Sequence, residues 1–120
     1  MKIYLSGPMS GHDNYNRATF AAAKERIERD GTHEVVNPAE SDNANDDGTP
    51  WTWEQYIAED CKTLLLGEFD AIALIPGWHA SRGSRIESFI AASLCLPILD
   101  AATLEPLDIG WRIAQPSNED

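Results

Sequence analysis

Apolar residues along this chain fall into two kinds of block. Compact runs, Ile3-Tyr4-Leu5, Val35-Val36, Ala71-Ile72-Ala73-Leu74-Ile75 and Leu96-Pro97-Ile98-Leu99, alternate with stretches where apolar residues recur at helical spacing. Short continuous runs are the pattern of strands buried on both faces. They predict strands over Lys2–Leu5, His33–Val36, Phe69–Ile75 and Leu96–Leu99. Ser6-Gly7-Pro8, Asn37-Pro38 and Pro76-Gly77 stop the first three, because proline and glycine interrupt regular pairing. The intervening spacing predicts helices over Arg17–Arg29, Thr52–Leu66 and Ser84–Leu94. The first is weakly amphipathic, through Phe20, Ala21, Ala23, Lys24 and Ile27. The second has Thr52 to cap it, with Tyr56, Ile57, Cys61, Leu64 and Leu65 along one side. Ile109 to Ile113 reads as an edge strand or as a segment packed across a partner, and Gln115 to Asp120 as a frayed end.

Strands alternating with helices imply right-handed crossovers and a parallel sheet covered on both faces. The expected fold class is α/β: a flavodoxin-like three-layer sandwich with a mainly parallel sheet of four or five strands. Residues 1–120 are expected to form a single domain, with its core over 2–99 and an extension over 100–120. Its ligand edge would collect three loops: Ser6 to Asn16, Asn37 onward, and Pro76 to Gly83.

Composition narrows the partners. The chain has 120 residues, 42% hydrophobic and 24% charged, which suffices for one core without staples. No apolar run approaches membrane-spanning length, and the first residues begin a strand rather than a leader. A cytoplasmic protein with no membrane partner is therefore expected. A net charge of −11 argues against a nucleic acid polymer as partner. It leaves room for a small nucleotide, which a few backbone N–H groups and one or two arginines can hold. The acidic stretch from Glu40 to Gly48 reads as a solvated surface loop, since it lacks the closing glutamate of a calcium loop. Cys61 and Cys95, both assigned to helices, have no metal-ligand spacing and read as reduced, partly buried thiols.

Candidate chemistry centres on Ser81-Arg82-Gly83-Ser84-Arg85-Ile86-Glu87, which follows the third strand and its Pro76-Gly77-Trp78 stop. Glu87 is placed in the first turn of the third helix, at the carboxyl end of a buried strand. There the helix dipole favours its ionised form, suited to a nucleophile or an electrostatic stabiliser. The competing reading is an acidic residue that merely caps the helix. At such a helix start, truncation of Glu87 is expected to leave no core cavity and an intact melting temperature. The hydroxyl of Tyr4 either meets a carboxylate such as Glu87 or is the wet tip of a strand residue. Ser6-Gly7-Pro8-Met9-Ser10-Gly11 is a small-residue turn whose backbone can approach a sugar or phosphate, or which simply closes the strand. Trp78 either stacks on a planar base or packs its own loop. Asp60 either supplies a second carboxylate or belongs to a solvated helical face.

These blocks together resemble the nucleoside 2-deoxyribosyltransferase superfamily, especially its small, often phage-encoded branch. The resemblance runs from Lys2 to about Leu99. It rests on Ile3-Tyr4-Leu5-Ser6-Gly7-Pro8-Met9-Ser10-Gly11, on Asp60 ahead of Asp70-Ala71-Ile72-Ala73-Leu74, and on Gly77-Trp78 through Ser81-Arg82-Gly83 to Glu87. It implies a glutamate nucleophile at Glu87 that attacks the anomeric carbon of a deoxyribosyl N-glycoside, with Tyr4 orienting it and Asp60 at the sugar or base. Ser6, Gly7, Met9, Ser10, Gly11, Trp78, Ser81, Arg82 and Gly83 would bind substrate. Ser81 departs from the transferases, which carry aspartate there, and is similar to the deoxynucleoside 5′-monophosphate N-glycosidases, where serine helps to bind phosphate. The implied partner is a small nucleoside or nucleotide, with no metal or cofactor, in a homodimer or larger homo-oligomer. An NAD or ADP-ribosyl glycohydrolase and a non-catalytic nucleotide-binding protein are the alternative readings.

Overall fold

The computed structural model describes residues 1–9, 11–40 and 43–109. Its elements run β1 (Lys2–Ser6), α1 (Arg17–Glu28), β2 (Glu34–Val36), α2 (Trp53–Leu66), β3 (Ala71–Leu74), α3 (Arg82–Ser93) and β4 (Ile98–Asp100). The four strands form one parallel sheet in the order β2-β1-β3-β4. The fold is the expected flavodoxin-like three-layer sandwich.

Alternation along the strands sorts side chains onto two faces. Ile3 and Leu5 of β1 join Ala71, Ala73 and Ile75 in a core with Phe20, Ala23 and Ile27 of α1. Tyr4 joins Ile72 and Leu74 on the other face, against Leu64 of α2 and Ala91 of α3. One helix therefore covers one face and two cover the other. Ser6 shares the face of Tyr4, two residues on, and lies against α3. The order of connection reverses between β1 and β3: the chain leaves β1 toward one edge, then returns past it to build the other. The carboxyl ends of two such neighbouring strands diverge into a crevice, where open α/β sheets take their ligands.

Element ends differ from the sequence reading where caps decide them. Thr52 lies outside α2 and closes a reciprocal capping box with Gln55. Ser81 caps α3 by accepting the Ser84 N–H at 3.2 Å, so this helix begins two residues before the predicted Ser84. Leu96 donates its N–H back to Ala91, finishing the helix, and β4 starts at Ile98 rather than Leu96. Cys95 is not helical: it takes the left-handed backbone that ends α3. Both cysteines are free and partly buried. β3 is shorter than Phe69–Ile75, and the sheet has four strands among the described residues. The segment proposed as an edge strand, from Ile109 to Ile113, lies beyond the described residues apart from Ile109, which packs on the α3 side of the sheet.

The described residues of the acidic connection are exposed, as expected, except at Asn45. This half-buried side chain donates to Thr49 Oγ1 and accepts from Gln55 Nε2, which ties the loop to the start of α2. Among the described residues, no helix is long and apolar enough to cross a membrane.

Candidate active site

The crevice at the β1–β3 divergence is a cavity of about 940 Å³, large for a small-molecule site. Three segments enclose it: the loop after β1, the start of α2 with the residues before it, and the turn leading into α3. Gly7 is required at the first of these. A Cβ there would stand 2.8 Å from Cβ of Ile75, so only glycine lets the ends of β1 and β3 lie this close. Three successive residues on the rim, Asn14, Tyr15 and Asn16, hold left-handed backbone with φ of 49°, 55° and 62°. Asn16 secures that turn by donating to the carbonyl of Pro8 at 2.8 Å.

Glu87 forms part of the crevice wall and is only 4% exposed. It lies six residues into α3, past the first turn, which corrects its predicted place at the helix start. The inward stripe of this helix is Ser84, Glu87, Ser88 and Ala91, so a carboxylate and two hydroxyls occupy positions that an ordinary amphipathic helix fills with apolar groups. Tyr4 donates its phenolic proton to Glu87 Oε2 at 2.6 Å, and Ser6 donates to Oε1 at 2.6 Å. Both donors come from β1, because residues two apart on a strand share a face.

Burial decides the charge state. It pushes the Glu87 carboxyl up to about 7, against the lowering effect of the Ser6 and Tyr4 hydrogen bonds. The expected stabilisation of the anion by the helix dipole is therefore outweighed. Asp60, on α2 and also lining the crevice, is pushed up to about 7, first by burial, then by the charge of Glu87 and that of Glu59. Burial, followed by the same two crevice carboxylates, raises Tyr4 well above the usual phenol and takes Cys61 up to about 11. Two carboxyl groups poised near neutrality in one crevice can exchange protons with a ligand.

The predicted site residues divide. Glu87, Asp60, Gly7, Met9, Ser81, Arg82 and Gly83 line the crevice, while Tyr4 and Ser6 stand behind Glu87 and fix it. Trp78 does not line it; its ring packs against the core on the α3 face. Gly11 is exposed outside the crevice, and Ser10 lies outside the described residues. Arg85, two residues before Glu87, borders a shallow groove with Ile86 and Phe89.

Sequence reading missed the aromatic wall. Trp51, Trp53 and Tyr56 line the crevice from the α2 side. Trp51 and Tyr56 meet edge to face at 5.3 Å, and the Arg82 guanidinium lies 3.6 Å from the centroid of Trp53. This stack joins the first turns of α2 and α3. The available signal was the spacing of Trp53 and Tyr56, which puts both on one side of the first helical turn. Among the described residues, no three His, Cys, Asp or Glu side chains gather as a metal site. A family model described as "Domain of unknown function (DUF4406)" matches residues 1–100. No curated protein and no solved structure matches the chain.

Proposed function

The chain belongs to the DUF4406 family, and from its site we propose that it cleaves the N-glycosidic bond of a deoxynucleoside or deoxynucleotide, with Glu87 as nucleophile. The observation that carries this reading is the buried Glu87 carboxylate at the crevice wall, gripped at both oxygens by Tyr4 and Ser6, with Asp60 in the same crevice. The resemblance of these blocks to the nucleoside 2-deoxyribosyltransferases supports it.

Breaking a glycosidic C–N bond builds positive charge on the sugar, which a fixed carboxylate stabilises and can trap as an ester. A Glu87 oxygen bonds to the anomeric carbon as the C–N pair leaves with the base. Asp60, poised near neutrality, gives the departing base its proton and then, as carboxylate, takes one from the water or acceptor base that resolves the ester. The opposed demands on the two groups, Glu87 ionised and Asp60 protonated, give a bell-shaped rate profile that belongs to the pair rather than to either residue. Trp51, Trp53 and Tyr56 offer aromatic faces and edges to a planar base. Ser81 and Arg82 provide a hydroxyl and a cation for a 5′-phosphate. A cytoplasmic setting, with free nucleotides at hand, fits this chemistry.

The test is incubation with a panel of deoxynucleosides and their 5′-monophosphates, with and without acceptor bases, read by chromatography. Base release that Glu87→Gln abolishes supports the proposal, and faster use of monophosphates supports the hydrolase form. No base release from any member of the panel would overturn it. The size of the crevice favours one second reading, a donor of dinucleotide size such as NAD, which nicotinamide release would reveal. Tight binding without product would mark a non-catalytic nucleotide-binding protein.

A further inference from the structure

We propose that Ser84 is a positioning residue for Glu87, acting through the hydroxyl of Ser6. The assignment rests on the reading of Glu87 as the reacting carboxylate and adds a residue to that site.

Ser6 Oγ lies 2.6 Å from Glu87 Oε1 and 3.0 Å from Ser84 Oγ. A serine hydroxyl carries one proton and accepts at its lone pairs, so it cannot donate to both neighbours at once. The shorter contact, to a group that bears negative charge, claims the proton. Ser84 then donates to Ser6, and the three groups form a directed chain from Ser84 through Ser6 to Glu87. Both serines are 1% exposed, so water does not compete along it. Ser84 Oγ has Ser6 as its hydrogen-bond partner, whereas the next inward serine of the helix, Ser88, turns to the carbonyl of Arg85. Ser84 sits three residues before Glu87 on α3, the spacing that places both on one side of the helix.

A hydroxyl that accepts a hydrogen bond becomes a stronger donor, and such chains reinforce each other in a low-dielectric interior. Ser84 therefore fixes the rotor of Ser6 and strengthens its bond to Glu87, favouring the ionised carboxylate against burial. The other titratable groups packed around Glu87 are Tyr4 from β1 and Asp60 and Cys61 from α2, with His12, Arg17 and Arg82 lining the same crevice. Among the described residues, the side-chain hydrogen bonds of Ser6 run to Ser84 and Glu87, so the effect can be isolated genetically.

The experiment is a carboxyl-carbon NMR titration of the free protein labelled at glutamate, with Glu87→Gln identifying the resonance. Ser84→Ala, Ser6→Ala and the double variant complete a cycle with the wild type. Ser84→Ala is expected to move the Glu87 midpoint up by about half a pH unit, and to leave it unmoved when Ser6 is already alanine. An equal shift in both backgrounds, or none in either, overturns the proposal. Ser84→Thr, which keeps the hydroxyl, should return the midpoint toward wild type. No substrate enters the measurement. Failure of base release would thus sink the functional reading while leaving this result, and an unmoved midpoint in an active enzyme would do the reverse.

Discussion

Replacing Glu87 by glutamine should stabilise the protein, and only above the ordinary carboxylate range of pH. Glu87 ionises at about 7 in the fold, against an ordinary value of 4.5. Between those values the folded state holds a proton that the unfolded chain has released, so stability falls as pH rises through the interval. At about 1.4 kcal/mol per pH unit, the loss reaches about 3 kcal/mol by pH 7 and levels off above it. Asp60, raised in part by the charge of Glu87, adds to it in the same direction. Glutamine keeps the shape, accepts from Tyr4 through its oxygen and donates to Ser6, whose own proton can then turn to Ser84. Urea unfolding of Glu87→Gln and wild type at half-unit steps from pH 4 to 8 should give curves that agree near pH 4, separate progressively between about pH 4.5 and 7, and run parallel above that. At pH 8 the variant should melt about 10 °C higher. A stability difference that does not change with pH would refute the reasoning, because it would locate the effect in packing rather than in a buried charge. Glu87→Ala is a poorer probe. At 4% exposure its truncation opens a cavity and strips two hydroxyls of their acceptor, so the intact melting temperature expected from a helix-start position does not follow.

Gly7→Ala should cost about 1–3 kcal/mol in urea unfolding, because its methyl would meet the side chain of Ile75 with no room to turn away; a neutral result would mean the strand ends can part. Trp53→Ala should weaken nucleotide binding by about tenfold in calorimetry, by losing both a crevice face and the support of Arg82. Trp78→Ala should instead lower the melting temperature and leave affinity alone; the opposite pattern would restore Trp78 as the base platform. Light scattering should give the mass of a homodimer or larger closed assembly, for which exposed Leu65, Leu66 and Ile86 on α2 and α3 provide apolar surface; a monomer at all working concentrations would count against it.

The order of elements was legible because four short apolar runs separated by helical spacing admit few arrangements. The existence of a carboxylate after β3 was legible too, since Glu87 follows a strand stop and a polar turn. Its environment was not. Whether a glutamate in the first half of a helix faces water or core depends on where the cap falls, and Ser81 moved the helix start by two residues. That small change carries Glu87 out of the field of the helix end and into the packed layer, reversing the sign of its expected shift. The joint grip of Tyr4 and Ser6 was available from strand alternation, but only once their face was known to meet α3. The aromatic wall was hidden by its membership of a helix. Tyr56 read as part of an apolar side, while the capping box and the Asn45 tether that aim the first turn of α2 at the crevice act across sequence. Trp78 failed for the converse reason: a tryptophan after Pro-Gly looks exposed until the core beside it is seen.

β1 lies inside the sheet, with a neighbour on each side, and it carries both hydroxyls that hold Glu87. Interior strands exchange their amide protons only through the largest unfolding events, whereas surface turns open independently. The grip on the carboxylate is thus inherited from the most protected part of the molecule and cannot loosen without loss of the domain. The left-handed turn at Asn14–Asn16 and the Asn45-tethered approach to α2 belong to the periphery. Mutations there can reshape the mouth of the crevice while Glu87 stays in register, so on the proposed function descendants of this chain could change substrate without rebuilding the carboxylate's setting.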